Sequence, residues 1–433
     1  MFQMTKKYSI LATFLFCALV FVACGDSDSS SFIDKGTEPQ ISPKDTVSSD
    51  SSAQDSVEKE PVEKDSSTQD TAESHTSYFD ESGLHTFILG DSLGQLLYGE
   101  LNLDYPVDSV LTLFEIGDIV NVAIVSYDTL EMVVAESAND VPIAGFVLVA
   151  RSDSEHPFLS VHNGQLASIL GITDVKTPIE VTISMKEKGG FLFGLEMRYA
   201  QYLDTYTENY PDLSIEEFAN FREVRTTGMG ENKLYRSSSP IDNCLGRNLY
   251  ADSLAKEAGV TTFINLTDSE DYAKSYKGFE TTYYSTQDVI YLAVAPDFYS
   301  RAFKDGMVKG LRFMIEHEGP YLVHCIYGMD RTGFMIAVLE ALMGAKTEEI
   351  QADYAKTFTN YFNVVNGLQV TYNEQQAEFF ENVVVRNLRA VYHADGIEIP
   401  DADDIDWSTP TEQFLKKQGM TDEEISALKD RLK

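Results

Sequence analysis

The chain has 433 residues, of which 43% are hydrophobic, and it carries a formal net charge of −36 at pH 7. This apolar content suffices for the cores of about two ordinary domains. The acidic balance argues against nucleic acid as a partner, because its phosphates would be repelled, and against simple electrostatic adhesion to anionic lipid. Any site for a phosphate group must therefore be built locally.

The N-terminus has the pattern of an export signal. Two lysines precede an apolar run from Ile10 to Val22, which is too short to span a bilayer comfortably. The residues Ala23-Cys24-Gly25 that follow resemble the lipobox of bacterial lipoproteins, although Phe21 stands where that motif prefers leucine. The resemblance implies a signal peptide over residues 1–23, a lipid on Cys24 and anchoring in the bacterial cell envelope. The alternative is an ordinary secretory signal.

Removal of the signal and lipidation of Cys24 would leave Cys244 and Cys325 as the thiols of the mature chain. Two cysteines exclude a disulfide scaffold, but one reversible bridge between them is conceivable in an oxidising compartment. The alternative for Cys244 is a small buried residue.

Residues 24–77 consist mainly of Ser, Asp, Glu, Thr, Lys and Pro and contain almost no aliphatic or aromatic residues. Such a segment cannot bury enough apolar surface to offset the entropy of ordering. We expect a disordered acidic tether.

Residues 78–200 show apolar residues at a period of two, broken by turns that contain Asp, Gly and Pro. The clearest runs are Ile119–Val125, Gly145–Ala150 and Ile179–Ile183. This pattern predicts a small, mostly β domain. A turn and a short helix are predicted at Ser160–Gly171. This segment and Glu115–Val120 together weakly resemble the C-terminal β domain of the S-adenosylmethionine hydroxide adenosyltransferases. The resemblance implies a fold but not that chemistry, so we expect a structural platform, with ligand or partner binding as the alternative.

Residues 210–433 alternate between helical and strand patterns, which predicts an α/β domain with a central sheet flanked by helices. Helices are expected at Arg247–Ala258, Ser300–Glu318 and Thr332–Met343, and strands at Thr261–Leu266 and Tyr321–His324. At the C-terminus, Thr421 and Glu424 form a capping box for a last helix, Asp422–Leu432.

The segment His324-Cys325-Ile326-Tyr327-Gly328-Met329-Asp330-Arg331-Thr332 joins such a strand to such a helix. The N–H groups of its backbone and the N-terminus of the helix would converge on one point, which is the geometry of an anion site. A thiol at that point is stabilised as a thiolate by the same dipoles and by Arg331. A thiolate at neutral pH is a competent nucleophile.

These residues resemble a known family. His-Cys-x5-Arg-Thr is similar to the active-site loop of the protein tyrosine phosphatase superfamily, and Gly328-Met329-Asp330-Arg331-Thr332-Gly333 resembles that of the atypical bacterial tyrosine and dual-specificity (lipid) phosphatases. Two earlier segments resemble the same subgroup, Asn220-Phe221-Arg222-Glu223 and Leu234-Tyr235-Arg236-Ser237-Ser238. The resemblance runs from near Phe218 to the C-terminal helix.

The resemblance implies a role for each residue of the segment. Cys325 would attack phosphorus and form a thiophosphate intermediate, while Arg331 would clamp two phosphate oxygens. Thr332 would support the thiolate and its release, and His324 would fix the loop and tune the thiol. Gly328 would permit the required backbone conformation. The other expected substrate-binding positions are Ile326, Tyr327 and Met329.

Two carboxylates are candidates for the general acid that protonates the leaving oxygen. Asp330 lies inside the motif, as in relatives that carry their acid there, and we favour it. Asp297, which follows Pro296, is placed like an acid on a separate movable loop. The simpler interpretations are a bracing hydrogen bond for Asp330 and a solvated surface carboxylate for Asp297.

Met329 stands where the family has a lysine, which should weaken recognition of multiply phosphorylated inositol rings. Arg236 could supply part of the missing charge from the neighbouring strand, or could pair with an acid.

The sequence thus predicts a cysteine-dependent phosphomonoesterase, a protein-tyrosine or dual-specificity phosphatase that acts on phosphotyrosine proteins. The alternatives are an inositol-phosphate or phosphoinositide phosphatase and, from another class, a catalytically silent phosphate-binding envelope lipoprotein. The histidines are scattered and there is no Cys-x-x-Cys, so we expect neither a metal nor a cofactor. The expected partners are a phosphorylated substrate and, through the lipid anchor, a membrane.

Overall fold

Two large β-sheets organise the part of the chain that the computed structural model describes. This part comprises residues 85–89, 99–172, 179–200, 213–362, 364–365, 368–369, 374–400 and 405–433. All of these residues belong to one compact unit. The predicted signal peptide, the tether and Cys24 lie outside the described residues.

The first sheet, which we call the N-terminal sheet, contains seven strands. They are β1 (His85–Ile88), β2 (Leu101–Asn102), β3 (Ile119–Ile124), β4 (Thr129–Ala135), β5 (Phe146–Val149), β6 (Phe158–Val161) and β7 (Glu180–Glu187). Their order is β1-β7-β3-β4-β5-β6-β2, and β4 and β5 form the one parallel pair of this sheet. In β3, Val120, Val122 and Ile124 are buried while Asn121 and Ala123 are partly exposed, as the alternation of side chains along a strand requires.

Three short helices accompany this sheet among the described residues: α1 (Val107–Leu113), α2 (Leu166–Leu170) and α3 (Leu192–Ala200). The three apolar runs of period two fall on β3, β5 and β7. The expected turn and short helix fall on the end of β6 and on α2, which ends at Gly171 in a left-handed conformation. The boundaries of the two domains stay a prediction.

The second sheet has the order β11-β10-β12-β9-β8. Its strands are β8 (Arg222–Glu223), β9 (Leu234–Ser237), β10 (Thr262–Asn265), β11 (Asp288–Tyr291) and β12 (Tyr321–His324). The strands β9 to β12 are parallel, and β8 pairs antiparallel with β9. Every residue of β9, β10 and β12 is buried, which is typical of a parallel sheet covered on both faces. A two-stranded hairpin follows later, β13 (Val364–Val365) with β14 (Leu368–Gln369).

Helices surround the second sheet. They are α4 (Ile215–Phe218), α5 (Asn248–Glu257), α6 (Glu270–Ser275), α7 (Arg301–Glu316), α8 (Asp330–Met343), α9 (Thr347–Phe362), α10 (Glu374–Ala394), α11 (Ser408–Lys417) and α12 (Asp422–Leu432). Residues 331–342 of α8 are all buried, as expected for a helix that is apolar on every side. The mixed α/β class is therefore confirmed. The capping box of Thr421 and Glu424 is present at α12.

Candidate active site

Cys325 lies at the carboxyl-terminal edge of the second sheet, where β12 ends. Because β12 is parallel to its neighbours β9 and β10, the segments that follow these strands meet at the same edge. Cys325 is buried, with 3% of its surface exposed. We call residues 325–329, which connect β12 to α8, the cysteine loop.

The helix α8 begins at Asp330, earlier than the predicted start at Thr332. The sequence did not show this start, because Met329, the residue before the helix, is not one of the usual capping residues Ser, Thr, Asp or Asn and makes no side-chain capping hydrogen bond. With the helix starting at Asp330, both Asp330 and Arg331 belong to its first turn.

Three successive carbonyl groups of the cysteine loop accept hydrogen bonds from outside the loop. Ile326 O accepts from Ser239 N (3.0 Å), Tyr327 O from Tyr361 Oη (2.8 Å) and Asn220 Nδ2 (3.1 Å), and Gly328 O from Arg236 Nη2 (2.8 Å). The N–H group of a peptide points opposite to its carbonyl, so the N–H groups that follow these carbonyls face the concave side of the loop. Such a row of N–H groups beside a helix N-terminus is an anion-binding concavity.

Gly328 is required by this geometry for two reasons. Its φ is +66°, in the left-handed region, and a Cβ at this position would lie 2.1 Å from the backbone oxygen of Ser237. The close approach allows the loop to rest on the end of β9, and glycine is the residue that tolerates both conditions.

A buried cluster of charges supports the loop from behind. Arg236 Nη1 lies 2.5 Å from Asp353 Oδ2, and Arg222 Nε lies 2.7 Å from Asp353 Oδ1. Burial alone would raise the pKa of Asp353, but the charges of the two arginines and their hydrogen bonds outweigh it and hold this pKa well below its ordinary value. Of the two possibilities for Arg236, the structure therefore places it in an ion pair, on the side of the loop away from the concavity.

Arg331 and Thr332 lie beside the loop in the first turn of α8. Arg331 is 9% exposed, and its Nη1 donates to the carbonyl of Val294 at 3.0 Å. Thr332 is fully buried, and its hydroxyl has no hydrogen-bond partner within the described residues. A buried hydroxyl without a partner is uncommon in folded proteins and indicates strain or a role in binding.

His324, directly before the cysteine loop, ends a chain of buried hydrogen bonds. Asn265 Oδ1 accepts two backbone N–H groups at 2.9 and 3.0 Å, so its Nδ2 is the donor, to Asp268 Oδ2 at 2.9 Å and to Tyr284 Oη at 3.1 Å. Tyr284 Oη in turn lies 3.2 Å from His324 Nε2 and can donate its own proton there. Burial lowers the pKa of His324 to about 3. The ring is therefore neutral at neutral pH.

Asp268 is a further buried carboxylate near the site. It is 2% exposed and also accepts the hydroxyl of Tyr276 at 3.1 Å. Burial raises its pKa, which the hydrogen bonds from Asn265 and Tyr276 partly oppose.

The two candidate acids lie in different surroundings. Asp297 Oδ1 accepts the N–H of Ser300 at 3.1 Å, and burial raises the pKa of Asp297 above its ordinary value although backbone hydrogen bonds oppose it. A raised pKa favours the protonated form that a general acid needs. Asp330 is half-buried in the first turn of α8, where the helix N-terminus favours a carboxylate.

Residues 292–299, which connect β11 to the start of α7, form what we call the Asp297 loop. Val294 of this loop is the residue whose carbonyl accepts Arg331. The loop is thus adjacent to the arginine, as the sequence-based placement of a separate acid loop requires.

The other predicted positions differ in exposure. Met329 is 7% exposed and packs into the core, as Ile326 does in part, whereas Tyr327 is 39% exposed at the rim. Cys244 and Cys325 are both free thiols.

Sequence reasoning missed Asn265, Asp268, Tyr284 and Asp353. A signal for the first two was present, because polar residues at or just after the carboxyl end of a strand parallel to β12 fall at the same edge of the sheet. For Asp353 there was no such signal, because no neighbouring residue in the sequence indicates that this helical aspartate pairs with two arginines.

Among the described residues, no group of three or more His, Cys, Asp or Glu side chains is arranged to hold a metal ion. Within the same residues, no helix has both the length and the apolar character needed to cross a membrane.

Comparison with known proteins gives one family. The model of a family described as "Tyrosine phosphatase family" matches residues 213–433. A comparison with curated proteins finds no match. Among solved structures, an uncharacterized conserved protein from Thermotoga maritima is 17% identical, with a TM-score of 0.21 and coverage of 24% of this chain. The match spans 37% of the length of that protein.

Proposed function

The chain belongs to the tyrosine phosphatase family, and from this premise we propose that it hydrolyses phosphoric monoesters through Cys325, with phosphotyrosine in proteins as the substrate. One observation carries the proposal. The cysteine loop combines carbonyls bound from outside, Arg331 in the adjoining helix turn and the unpartnered hydroxyl of Thr332. This combination supports binding of a tetrahedral oxyanion against a thiol.

The reaction follows from these positions in two steps. The Cys325 thiolate attacks phosphorus, a P–S bond forms, and the P–O bond to the leaving group breaks as that oxygen takes a proton from the general acid. Water then attacks phosphorus and gives a proton to the carboxylate left by the first step, the P–S bond breaks, and phosphate leaves while the thiolate and the protonated acid are restored. Arg331 binds two equatorial oxygens, and Thr332 donates its hydroxyl to the departing thiolate.

For the general acid we propose Asp297 in place of Asp330, which the sequence favoured, because the loop that carries Asp297 adjoins Arg331 through the Val294 carbonyl. Burial, which raises the pKa of Asp297, also favours the protonated form. Asp330 instead occupies the first position of α8, where an acidic side chain is stabilising.

Phosphotyrosine is favoured over multiply phosphorylated inositol rings and phosphoinositides for two reasons. The half-exposed ring of Tyr327 at the rim can pack against a phenyl ring. A second phosphate would need a second cation, but Met329 is apolar and Arg222 and Arg236 are engaged by Asp353.

Hydrolysis of para-nitrophenyl phosphate and of a phosphotyrosine peptide, under reducing conditions, tests the activity. We expect Cys325→Ser to lower kcat by ~1000-fold or more, since it removes the nucleophile. Cys244→Ser, the matched control, should retain full activity. If wild-type protein turns over no faster than Cys325→Ser, the chain is instead a silent phosphate-binding protein. A panel with inositol phosphates and phosphoinositides decides between the substrate classes.

The identity of the acid can be tested with two matched variants, Asp297→Asn and Asp330→Asn. Loss of a general acid lowers turnover by about 10²–10⁴ for alkyl phosphates and far less for nitrophenyl phosphate, whose leaving group needs little protonation. We expect this selective loss in Asp297→Asn. The same selective loss in Asp330→Asn, with Asp297→Asn unaffected, would assign the role to Asp330.

We also propose that the chain acts in a bacterial cell envelope, held there by a lipid on Cys24. The lipobox resemblance at Ala23-Cys24-Gly25 and the polar composition of residues 24–77 support this proposal. We further propose that the chain is a member of the atypical bacterial subgroup, and that residues 78–200 have a fold similar to the C-terminal domain of the adenosyltransferases. In this view the N-terminal sheet is a platform for the phosphatase.

A further inference from the structure

The Asp297 loop is fixed to the phosphatase at one end. Its Val294 carbonyl accepts Arg331 at 3.0 Å, and the N–H of Val294 donates to the carbonyl of Leu266 at 3.0 Å. Gly306 of α7 lets the helix lie close to this residue, because a Cβ there would stand 2.4 Å from Val294 Cγ1. Loop and helix are therefore packed without space between them.

At its other end the loop is fixed to the N-terminal sheet. The hydroxyl of Tyr299 donates to the carbonyl of Ala144 at 3.1 Å, and its ring lies 6.0 Å from the ring of Phe146. Tyr299 packs against the apolar cores of both sheets. It is thus a direct link between the two halves of the described chain.

The acceptor of this hydrogen bond is held in an unfavourable conformation. Ala144 has a φ of +66°, in the left-handed region that residues with a Cβ rarely adopt. Two backbone hydrogen bonds fix it there, Ala144 N to His162 O at 3.0 Å and His162 N to Gly145 O at 2.9 Å. The carbonyl of Ala144 is therefore held by the N-terminal sheet in a fixed position opposite the hydroxyl of Tyr299.

The same edge of the N-terminal sheet also lies beside the candidate acid. A Cβ on Gly164 would be at van der Waals distance from two side chains of the loop, 3.4 Å from the ring of Tyr299 and 3.7 Å from Asp297 Oδ1. The turn at Gly164 is thus a neighbour of both Tyr299 and Asp297.

We infer that Tyr299 is a positioning residue, through which the N-terminal sheet holds the Asp297 loop against Arg331 in the geometry that phosphoryl transfer needs. The inference rests on the proposed phosphatase function. It assigns the N-terminal sheet a part in catalysis, as a fixed support for the loop, without any contact of its own with the reacting atoms.

Tyr299→Phe tests the inference because it removes the hydroxyl and keeps the ring. We expect kcat for alkyl phosphates to fall about tenfold, since a small displacement of a catalytic group is costly, with little change in KM or in nitrophenyl phosphate turnover. Phe146→Leu, which weakens the link from the N-terminal sheet, should give the same selective loss. Tyr283→Phe is the control, because Tyr283 Oη donates to the carbonyl of Val260 at 2.8 Å, before β10 and away from the site.

Hydrogen exchange of residues 292–300 supplies a readout that needs no turnover. In Tyr299→Phe and Phe146→Leu these amides should exchange faster than in wild type and in Tyr283→Phe. Equal exchange in all four proteins, or an equal loss of activity in Tyr299→Phe and Tyr283→Phe, would overturn the inference. Absence of wild-type turnover would refute the phosphatase function instead, and the exchange comparison would still decide whether Tyr299 fixes the loop.

Discussion

His324 illustrates how the fold determines the ionisation of one side chain. It is fully buried at the end of β12, and burial with a contribution from Arg331 lowers its pKa to about 3. A neutral ring beside the cysteine loop adds no positive charge. The cations and dipoles that stabilise a thiolate must therefore come from Arg331, the loop N–H groups and the N-terminus of α8.

The lowered pKa of His324 predicts a pH dependence of stability. In the unfolded chain His324 takes up a proton below its ordinary pKa of about 6.5, whereas the folded chain resists protonation down to about pH 3. The unfolded state then binds more protons, so the free energy of unfolding should fall as the pH drops through this window, by up to ~1.4 kcal/mol per pH unit from this residue.

Denaturant unfolding of wild type and His324→Asn between pH 4 and 7 measures this contribution. The substitution also changes the packing around residue 324, so the slopes are compared and not the absolute values. We expect the slope of wild type to be steeper. Parallel slopes would mean that His324 is protonated in the folded state as well.

The sequence predicts single residues well where the chemistry is local. Cys325, Arg331 and Thr332 could be placed because one short segment holds them all. Tyr284 could not, because its hydroxyl reaches His324 across 40 positions of the sequence, and these groups meet only through the packing of the segment before β11 in the folded chain.

At the scale of elements, the cysteine loop is held by three surrounding parts of the chain. The segment after β9 binds it at Ile326, Asn220, which lies two residues before β8, binds it at Tyr327, and α9 supplies Tyr361 and the carboxylate of Asp353. The loop is thus formed before a ligand arrives, which lowers the ordering cost of binding an anion.

Asp353→Asn tests this support. The substitution removes the carboxylate that pairs with two buried arginines, and breaking such a pair typically costs about 3–5 kcal/mol. We expect the free energy of unfolding to fall by that amount and phosphate affinity to fall with it, because Arg236 also holds the carbonyl of Gly328. Denaturant unfolding and competition by inorganic phosphate measure the two effects.

The matched control is Asp305→Asn. Its partner Arg301 is 92% exposed in side-chain surface, and the pair is on the outside of α7. Exposed pairs contribute about 0–1 kcal/mol, so this variant should be close to wild type. Similar losses in both variants would show that Asp353 has no special role in supporting the loop.

The elements themselves were largely predictable. The bounds of β12 and α12 agree with the sequence pattern because each ends in clear signals, a buried strand before a loop and a capping box. The start of α8 was misjudged because Met329 is not a capping residue. The contacts of α9 with the loop were not predictable, since they depend on how the helices pack.

At the scale of the whole molecule, a strongly acidic protein can offer an anion site where a cation is buried beside it. Arg331, in the helix turn next to the loop, is 9% exposed, whereas Arg222 and Arg236 are paired with Asp353 behind the loop. The charge of Arg331 acts in a medium of low dielectric, where it is effective over short distances and does not attract distant polyanions.

The lipid anchor is a prediction at this scale. Cys24→Ala, expressed in a bacterium, should abolish palmitate labelling and release the protein from the membrane fraction, because the acyl chains provide the binding energy. Cys17→Ala, which changes a cysteine of the expected signal peptide, should leave both unchanged. Labelling that persists in Cys24→Ala would refute the anchor.

The link between the two sheets could not be predicted from the sequence. The period-two runs predict a β domain and the motif predicts a phosphatase, but neither pattern indicates that Tyr299 joins them. The contact arises from packing between parts of the chain that are 155 positions apart.

The contact of Gly328 with the backbone of Ser237 has a consequence for anyone who would redesign this enzyme. No side chain fits between the loop and β9, so randomising this position would return only non-functional clones. New selectivity has to be sought in the neighbouring side chains. Tyr327, at the rim, can be exchanged without disturbing the main chain, and it is the position at which a cation could be introduced to attract substrates with a second phosphate, because Met329 packs into the core.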